Sequence, residues 1–320
     1  MITFLCSFKI FENCSGKMKL CMASHIVLDE IIDLEGKNTE SLGGPVCYGS
    51  LLAKTFNFQS VPATKAGKDI LDKVANLAKC NIHLDKTQID PTNPTTRFRL
   101  ISKKNGGREL FLLSRCSPIT INDIFESDAF VISPVIDEIS PDTLSQIVNR
   151  EKNRFIMVDP QGFLRTVGDN GSVTNKNHIE LNLNGVTAIK ADEEELSALT
   201  GGVTSVEGMK MLKNKYNLEF VISTANNNII FLHKNILYSI TLKKIESPDH
   251  TGLGDILATG FSCAYIKEKD PLWAICFAAG SVITALQSKG RGIEKIPSSM
   301  RLIERNSTYF YNTVKFKVID

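Results

Sequence analysis

The chain has no apolar run near the ~18 residues that a bilayer-spanning helix requires. Its opening segment, Met1 to Phe8, lacks a basic start and is followed by Lys9 and Glu12, which argues against a secretory signal. The eight cysteines (6, 14, 21, 47, 80, 116, 263, 276) contain no C-x-x-C pair. Several, such as Cys263 and Cys276, sit inside apolar runs. They read as small buried hydrophobes in a reducing compartment, not as disulfides or a zinc site. The five histidines are scattered, without metal-ligand spacing. A formal net charge of +2, with basic residues dispersed, gives no footing for a nucleic-acid surface. Short runs such as Lys103-Lys104 and Lys243-Lys244 read as solvated faces. G-x-x-x-x-G-K-[ST] is absent, which disfavours a P-loop NTPase. G-x-G-x-x-G with an acid about 20 residues later is absent too, which disfavours a dinucleotide-binding dehydrogenase. There is no internal repeat and no low-complexity segment. These absences predict a cytoplasmic chain without a membrane or nucleic-acid partner.

What remains is strand–helix alternation. Residues 19 to 28 read as one apolar strand, and Asp29 to Leu42 as a short hairpin. Pro45 opens a helix over Val46 to Phe56. Val61 to Thr64 is a short strand, and Asp69 to Lys79 an amphipathic helix. In Thr95 to Arg115, Phe98 and Leu100 alternate with Arg97, Arg99 and Ile101. With Asn105-Gly106-Gly107 as a turn, this is a β-hairpin. From residue 128 onward, strands near 130, 155, 185 and 220 alternate with helices over 142–150, 193–199 and 205–216. A hairpin (229–240) and helices over 255–267 and 271–288 follow. Such alternation implies an α/β fold, with a mostly parallel sheet between two helical layers. Ligands in such sheets sit beyond the carboxyl ends of the strands.

The segment Asp249-His250-Thr251-Gly252-Leu253-Gly254-Asp255 carries the most chemistry. A glycine turn that opens a helix leaves backbone N–H groups directed at one spot, where the helix dipole adds positive character. Gly252 and Gly254 would let the main chain approach a phosphate without a Cβ clash. The N–H groups of Gly252, Leu253 and Gly254 are candidates for an anion hole. Asp255 is the candidate base beside it. His250 reads as a spacer. For a lone G-x-G, a plain helix cap would be the better reading.

Other segments reverse that preference. Asp249–Asp255 resembles the D-T-T-G-A-G-D signature of the PfkB/ribokinase family of carbohydrate kinases. Ser24-His25-Ile26-Val27-Leu28-Asp29 resembles the family's first-strand G-x-x-x-x-D. Gly43-Gly44-Pro45 is similar to its di-glycine motif, and Ala66-Gly67-Lys68-Asp69 to its V-G-x-D. Asp159-Pro160-Gln161-Gly162-Phe163-Leu164-Arg165 resembles a stretch typical of archaeal sugar kinases in the family. Ala191-Asp192-Glu193-Glu194-Glu195 is similar to N-x-x-E, and Val221 to Thr224 to the strand before the adenine loop. The matches keep the family's order from residue 19 to about 297. They leave residues 1–17 outside, as an N-terminal extension ahead of a start at Met18. Residues 18–320 are then one ribokinase-like domain, a three-layer α/β/α fold with a small β lid from about 29–42 and 95–115.

The resemblance implies ATP and Mg2+ as cofactors, with a monovalent cation as a further family option. It implies a sugar, cyclitol or nucleoside as partner and a homodimer through the lid. It places substrate at Asp29, Gly43 and Gly44; Arg97, Arg115 and Arg165 are candidate contacts to an anionic substrate or ATP, with a plain surface charge as the alternative for each. It places ATP against Lys190, Asp192, Thr224, Ala225, Asn228, Thr251, Gly252 and Gly254, and the metal near Glu195. Three departures stand out. Pro45 replaces a frequent asparagine, Asp192 stands where the family has asparagine, and Ala225 and Asn228 replace glycines of the adenine loop. Expected is phosphoryl transfer to a hydroxyl of a small sugar or cyclitol. A nucleoside kinase of the same fold and a catalytically silent ligand-binding regulator remain as alternatives.

Overall fold

A computed structural model describes residues 16–103, 108–247 and 249–319. The N-terminal extension, up to residue 15, and the Asn105-Gly106-Gly107 turn lie outside them. The centre is a nine-stranded sheet. Its order runs Lys315–Val318, Ile236–Thr241, Asn228–His233, Phe220–Ala225, Ala188–Asp192, Phe155–Val158, Ala129–Ile132, Lys19–Ala23, Gln59–Ala63. From Phe220–Ala225 to Gln59–Ala63 every pairing is parallel, and the strands at the other edge pair antiparallel.

The central strands read as unbroken apolar runs because both faces are covered. Leu20, Met22, Val131 and Met157 face one layer, which contains the helices Pro45–Thr55, Leu253–Glu268, Pro271–Leu286 and Met300–Thr313. Cys21, Ala23, Phe130, Ile132, Ile156 and Val158 face the other, built on Pro141–Arg150, Glu193–Thr200 and Ser205–Tyr216. Alternate residues of one strand thus feed two separate cores, which is the three-layer arrangement expected. The six described cysteines are buried and unpaired. Among the described residues, no helix is long and apolar enough to cross a membrane.

Above the sheet lies a second, four-stranded one, in the order Asn38–Gly43, Val27–Ile32, Thr96–Ser102, Arg108–Ser114. The two hairpins read from the sequence are therefore joined, through parallel pairing of Val27–Ile32 with Thr96–Ser102. The apolar run at residues 19–28 is two strands rather than one. The break falls at Ser24 and His25, whose side chains find partners outside the central sheet. His25 Nε2 donates to the Ser117 carbonyl at 2.9 Å, so its Nδ1 accepts from the Thr96 hydroxyl at 2.8 Å. One buried histidine thereby ties together three points where the chain crosses between body and lid.

Residues 69–79 also differ from expectation. They form a 3-10 turn, Lys68–Lys73, followed by a short helix, Val74–Lys79. Asp69 ties the 3-10 turn to the start of the strand Thr96–Ser102, because its Oδ1 accepts from Thr95 N at 2.9 Å and Thr95 Oγ1 at 2.7 Å. The hairpin of Arg165–Val167 with Val173–Asn175, the helix Met300–Thr313 and the edge strand Lys315–Val318 were not anticipated.

Candidate active site

Two adjoining clefts open at the carboxyl ends of the parallel strands. The larger, about 370 Å³, is lined by Asp159, Lys190, Asp192, Glu195, Thr224, Ala225 and Asn228, and by the turn Gly252–Asp255. The smaller, about 80 Å³, lies beneath the lid and is lined by Asp29, Gly44, Tyr48, Phe98, Arg165 and Thr251. Gln161, Gly252 and Asp255 line both.

The turn is built by two glycines. Gly252 caps the helix Leu253–Glu268 with φ 74°, a left-handed conformation, and offers no side-chain cap. A Cβ there would sit 2.8 Å from the Tyr48 ring. The helix is therefore left with a bare N-terminus, where the N–H groups of Leu253, Gly254 and Asp255 have no acceptor within it. At Gly254 a Cβ would lie 3.1 Å from Lys190 Nζ. Glycine at that point lets a lysine ammonium approach the turn.

Strand register explains why Lys190 is there. Met157 pairs with Ala188 and Val158 with Ile189, so the next residues along, Asp159 and Lys190, come side by side. Lys190 Nζ is 3.0 Å from Asp159 Oδ2 and 3.3 Å from Glu195 Oε2. Asp192 then opens the helix Glu193–Thr200 with a capping box. Glu195 N donates to Asp192 Oδ1 at 2.8 Å, and Asp192 N donates to Glu195 Oε2 at 2.7 Å. Glu193 and Glu194 are exposed whereas Glu195 is buried. The glutamate run is thus a solvated helix start at its first two positions only.

The charges do not balance. Asp159, Asp192, Glu195 and Asp255 surround a single ammonium. Lys190 would lose its proton more readily through burial, but Asp159, Glu195 and Asp192 reverse this and raise its pKa. Burial pushes the Glu195 carboxyl up to about 7, against the pull of Lys190 and with a further rise from Asp159 and Asp192. Burial likewise pushes Asp255 up to about 7, helped by the Asp159 charge and opposed by Lys190, Ser133 and Arg165. Ser133 Oγ donates to Asp255 Oδ1 at 3.4 Å. A carboxyl poised near neutrality at a helix N-terminus suits proton acceptance.

At the smaller cleft, the di-glycine motif makes room for Asp29. A Cβ on Gly43 would lie 2.6 Å from Asp29 Oδ2, and one on Gly44 (φ 86°) 2.6 Å from the His25 carbonyl. Gly44 lines the smaller cleft, and Gly43 stands behind Asp29. Arg165 donates to the Val135 carbonyl at 2.8 Å, with its guanidinium 5.9 Å from the centre of the Phe98 ring.

Two of the expected site residues lie elsewhere than the others. Arg97 is not at the cleft. The apolar Phe98 and Leu100 take the inner face of the lid strand, so Arg97 and Arg99 face outward. There Arg97 pairs with Glu40 at 2.9 Å. Thr251, expected beside ATP, lines the smaller cleft instead. The remaining expected positions line the two clefts, apart from Gly43 behind Asp29 and Arg115, which lines neither. Asp159, Gln161 and Tyr48 were missed as site residues. The first two were legible as polar residues just beyond the strand Phe155–Val158. Tyr48 carried no signal, because it sits within an apolar helix.

The sequence matches the model of the pfkB family carbohydrate kinases over residues 41–297. The chain belongs to that family. It is a kinase. No curated protein sequence matches it. A pyrophosphate-dependent kinase of the ribokinase family, solved with a pyrophosphate analog and myo-inositol, superposes with a TM-score of 0.73 at 21% identity. That match covers 86% of this chain and 98% of the other. Arabidopsis thaliana ribokinase, complexed with ribose and ATP, gives a TM-score of 0.70 at 16% identity, covering 91% and 99%. A Methanocaldococcus jannaschii nucleoside kinase gives 0.70 at 16% identity, covering 92% and 100%. At these identities the likenesses show the ribokinase fold alone.

Proposed function

We propose that this pfkB-family kinase transfers the terminal phosphoryl group of ATP to a hydroxyl of a small sugar or cyclitol. The observation that carries the reading is the place of Asp255, with Gly252, at the junction of the two clefts. In the transfer, the acceptor oxygen bonds to the γ-phosphorus and the bond to the bridging β–γ oxygen breaks. The hydroxyl proton passes to Asp255. The N–H groups at the start of the helix Leu253–Glu268 hold the moving phosphoryl group, and Lys190 offsets its charge.

Carboxylate oxygens at Asp159, Asp192 and Glu195 are chemically suited to Mg2+. Among the described residues, no cluster of three or more His, Cys, Asp or Glu is arranged to enclose a metal. An ion here would take most of its ligands from phosphates and water. Bound, it would neutralise phosphate charge. Glu195→Gln should shift the magnesium activation curve to higher concentration and leave the acceptor KM within about twofold. An unmoved curve returns Glu195 to a capping role only.

The donor reading rests on the apolar lining of the larger cleft. Ile229, Leu242, Leu257 and Val282 line it. An apolar wall suits a purine face; pyrophosphate would leave it unused. The acceptor reading rests on size. A cleft of about 80 Å³ with Asp29 and Arg165 suits a small polyol. A nucleoside would also need space for its base.

The test is a screen of ribose, fructose, myo-inositol, ketodeoxygluconate and nucleosides, each with ATP or pyrophosphate, read as phosphorylated product by mass. The expected result is ATP-dependent product from one polyol, with kcat/KM roughly 10²-fold or more above any nucleoside, the scale on which a pocket discriminates by fit. Product from pyrophosphate alone overturns the donor assignment. Product from nucleosides alone overturns the acceptor assignment.

A further inference from the structure

A second buried lysine lies under the phosphate-side turn, outside the chemistry described above. Lys295 ends the short 3-10 turn Gly292–Lys295 and is 1% exposed. Its Nζ is 2.9 Å from Asp249 Oδ2 and donates to the Asp249 carbonyl at 3.1 Å. The same carboxylate accepts from Gly292 N at 2.7 Å and from Thr251 N at 2.8 Å. Tyr48 lies above, its ring centre 6.0 Å from Nζ. That ring also covers the α-carbon of Gly252. Lysine, aspartate and tyrosine thus form a floor beneath the residues that lead into the anion hole. Burial would raise the Asp249 carboxyl, but Lys295 and the two N–H groups bring it below its ordinary value.

Buried ion pairs lose much hydration and are weak devices for stability. This one spans 46 residues of sequence and fixes the start of the Asp249–Asp255 segment. That points to positioning. A monovalent cation that organised the turn would need a carboxylate and a main-chain carbonyl converging on one point. Asp249 presents both, and the Lys295 ammonium already takes both. The donor set does not fit a free potassium or sodium ion in addition.

We propose that Lys295 is a tethered cation that positions the Asp249–Gly254 turn, so that phosphoryl transfer needs no added monovalent ion. The proposal rests on the kinase reading above, and its test separates the two. Turnover and ATP affinity of the full chain are measured in potassium, sodium and choline chloride at equal ionic strength. Thermal melting in the same salts gives a readout independent of turnover. The expected result is turnover, ATP affinity and melting temperature that agree across the three salts within about twofold or 2 °C. Saturable activation or stabilisation by potassium overturns the proposal while leaving the kinase reading intact. Absence of ATP binding in every salt overturns the ATP-donor reading, and this proposal with it.

Lys295→Met vacates the carboxylate and carbonyl. It should lower turnover by roughly 10²-fold, the scale of one misplaced anion-hole donor, and should regain part of it with potassium or ammonium, saturably. Full turnover without rescue means the lysine positions nothing. Where Lys295→Met does not fold, Lys295→Arg keeps the charge. It should keep the salt independence of the wild type, and a newly acquired potassium requirement there counts against the proposal.

Discussion

Asp255→Asn should fold, bind ATP and lose turnover by roughly 10²–10⁴, the usual range for a general base. The side chains are nearly isosteric, so the Ser133 contact and the helix N-terminus survive. Only the proton acceptor goes. The wild-type pH profile should carry the same signature. Because burial raises Asp255 to about 7, the ionised base accumulates as pH climbs through that value. On the wild type, kcat/KM should therefore rise to a plateau above it. Asp255→Asn should lack that limb.

Stability should move the other way. An acid whose folded pKa is raised binds more protons folded than unfolded, between its ordinary 3.8 and about 7. Stability then falls as pH rises across that window. Each unit is worth about 1.4 kcal/mol. With water still reaching the cleft, Asp255→Asn should gain on the order of 1–3 kcal/mol at pH 8 and almost nothing near pH 4. Denaturant unfolding at both pH values checks this. A variant that is fully active, or that is equally stabilised at both, removes Asp255 from the role of buried base.

The legible parts of the fold were those governed by local periodicity. Val131 or Met157 in a short apolar run announces a strand covered on both faces, and Gly252 and Gly254 before an apolar helix announce a bare N-terminus. What stayed hidden depends on contacts distant in sequence. Ser24 and His25 look like mild interruptions of a strand until Thr96 and Ser117 arrive to bond the imidazole. Arg97 was open to either face of its strand, and the inward packing of Phe98 and Leu100 decided the matter. Lys190 was read as one more ATP contact, whereas the register of its strand against Phe155–Val158 makes it the centre of an acidic cluster. Lys295 carried no local signal, since a lysine after Glu294 in a short turn reads as surface.

Lys190→Met should be the most damaging single change in the site for stability. Among the described residues the ammonium is the one cation paired with Asp159 and Glu195, at 3.0 and 3.3 Å. Both acids are buried. Removing it strands two carboxylates in a poorly hydrated place, a change that typically costs about 3–5 kcal/mol. The raised Lys190 pKa makes no contribution to pH dependence between pH 5 and 9, because the lysine stays protonated in both states throughout. The dependence comes from the acids. Glu195 already lies near 7 with its partner present; without the lysine it should protonate at still higher pH, and a neutral carboxyl no longer needs the cation. The stability gap between wild type and Lys190→Met should therefore be largest near pH 8 and narrow toward pH 5. Turnover should fall by roughly 10²–10³ at any pH, since the transferred phosphoryl group loses a positioned positive charge. Urea unfolding at pH 5 and 8, paired with the kinase assay, reads both effects. A gap independent of pH means that the methionine disturbs packing and not charge. Unchanged turnover means that Lys190 serves the fold without meeting the phosphate.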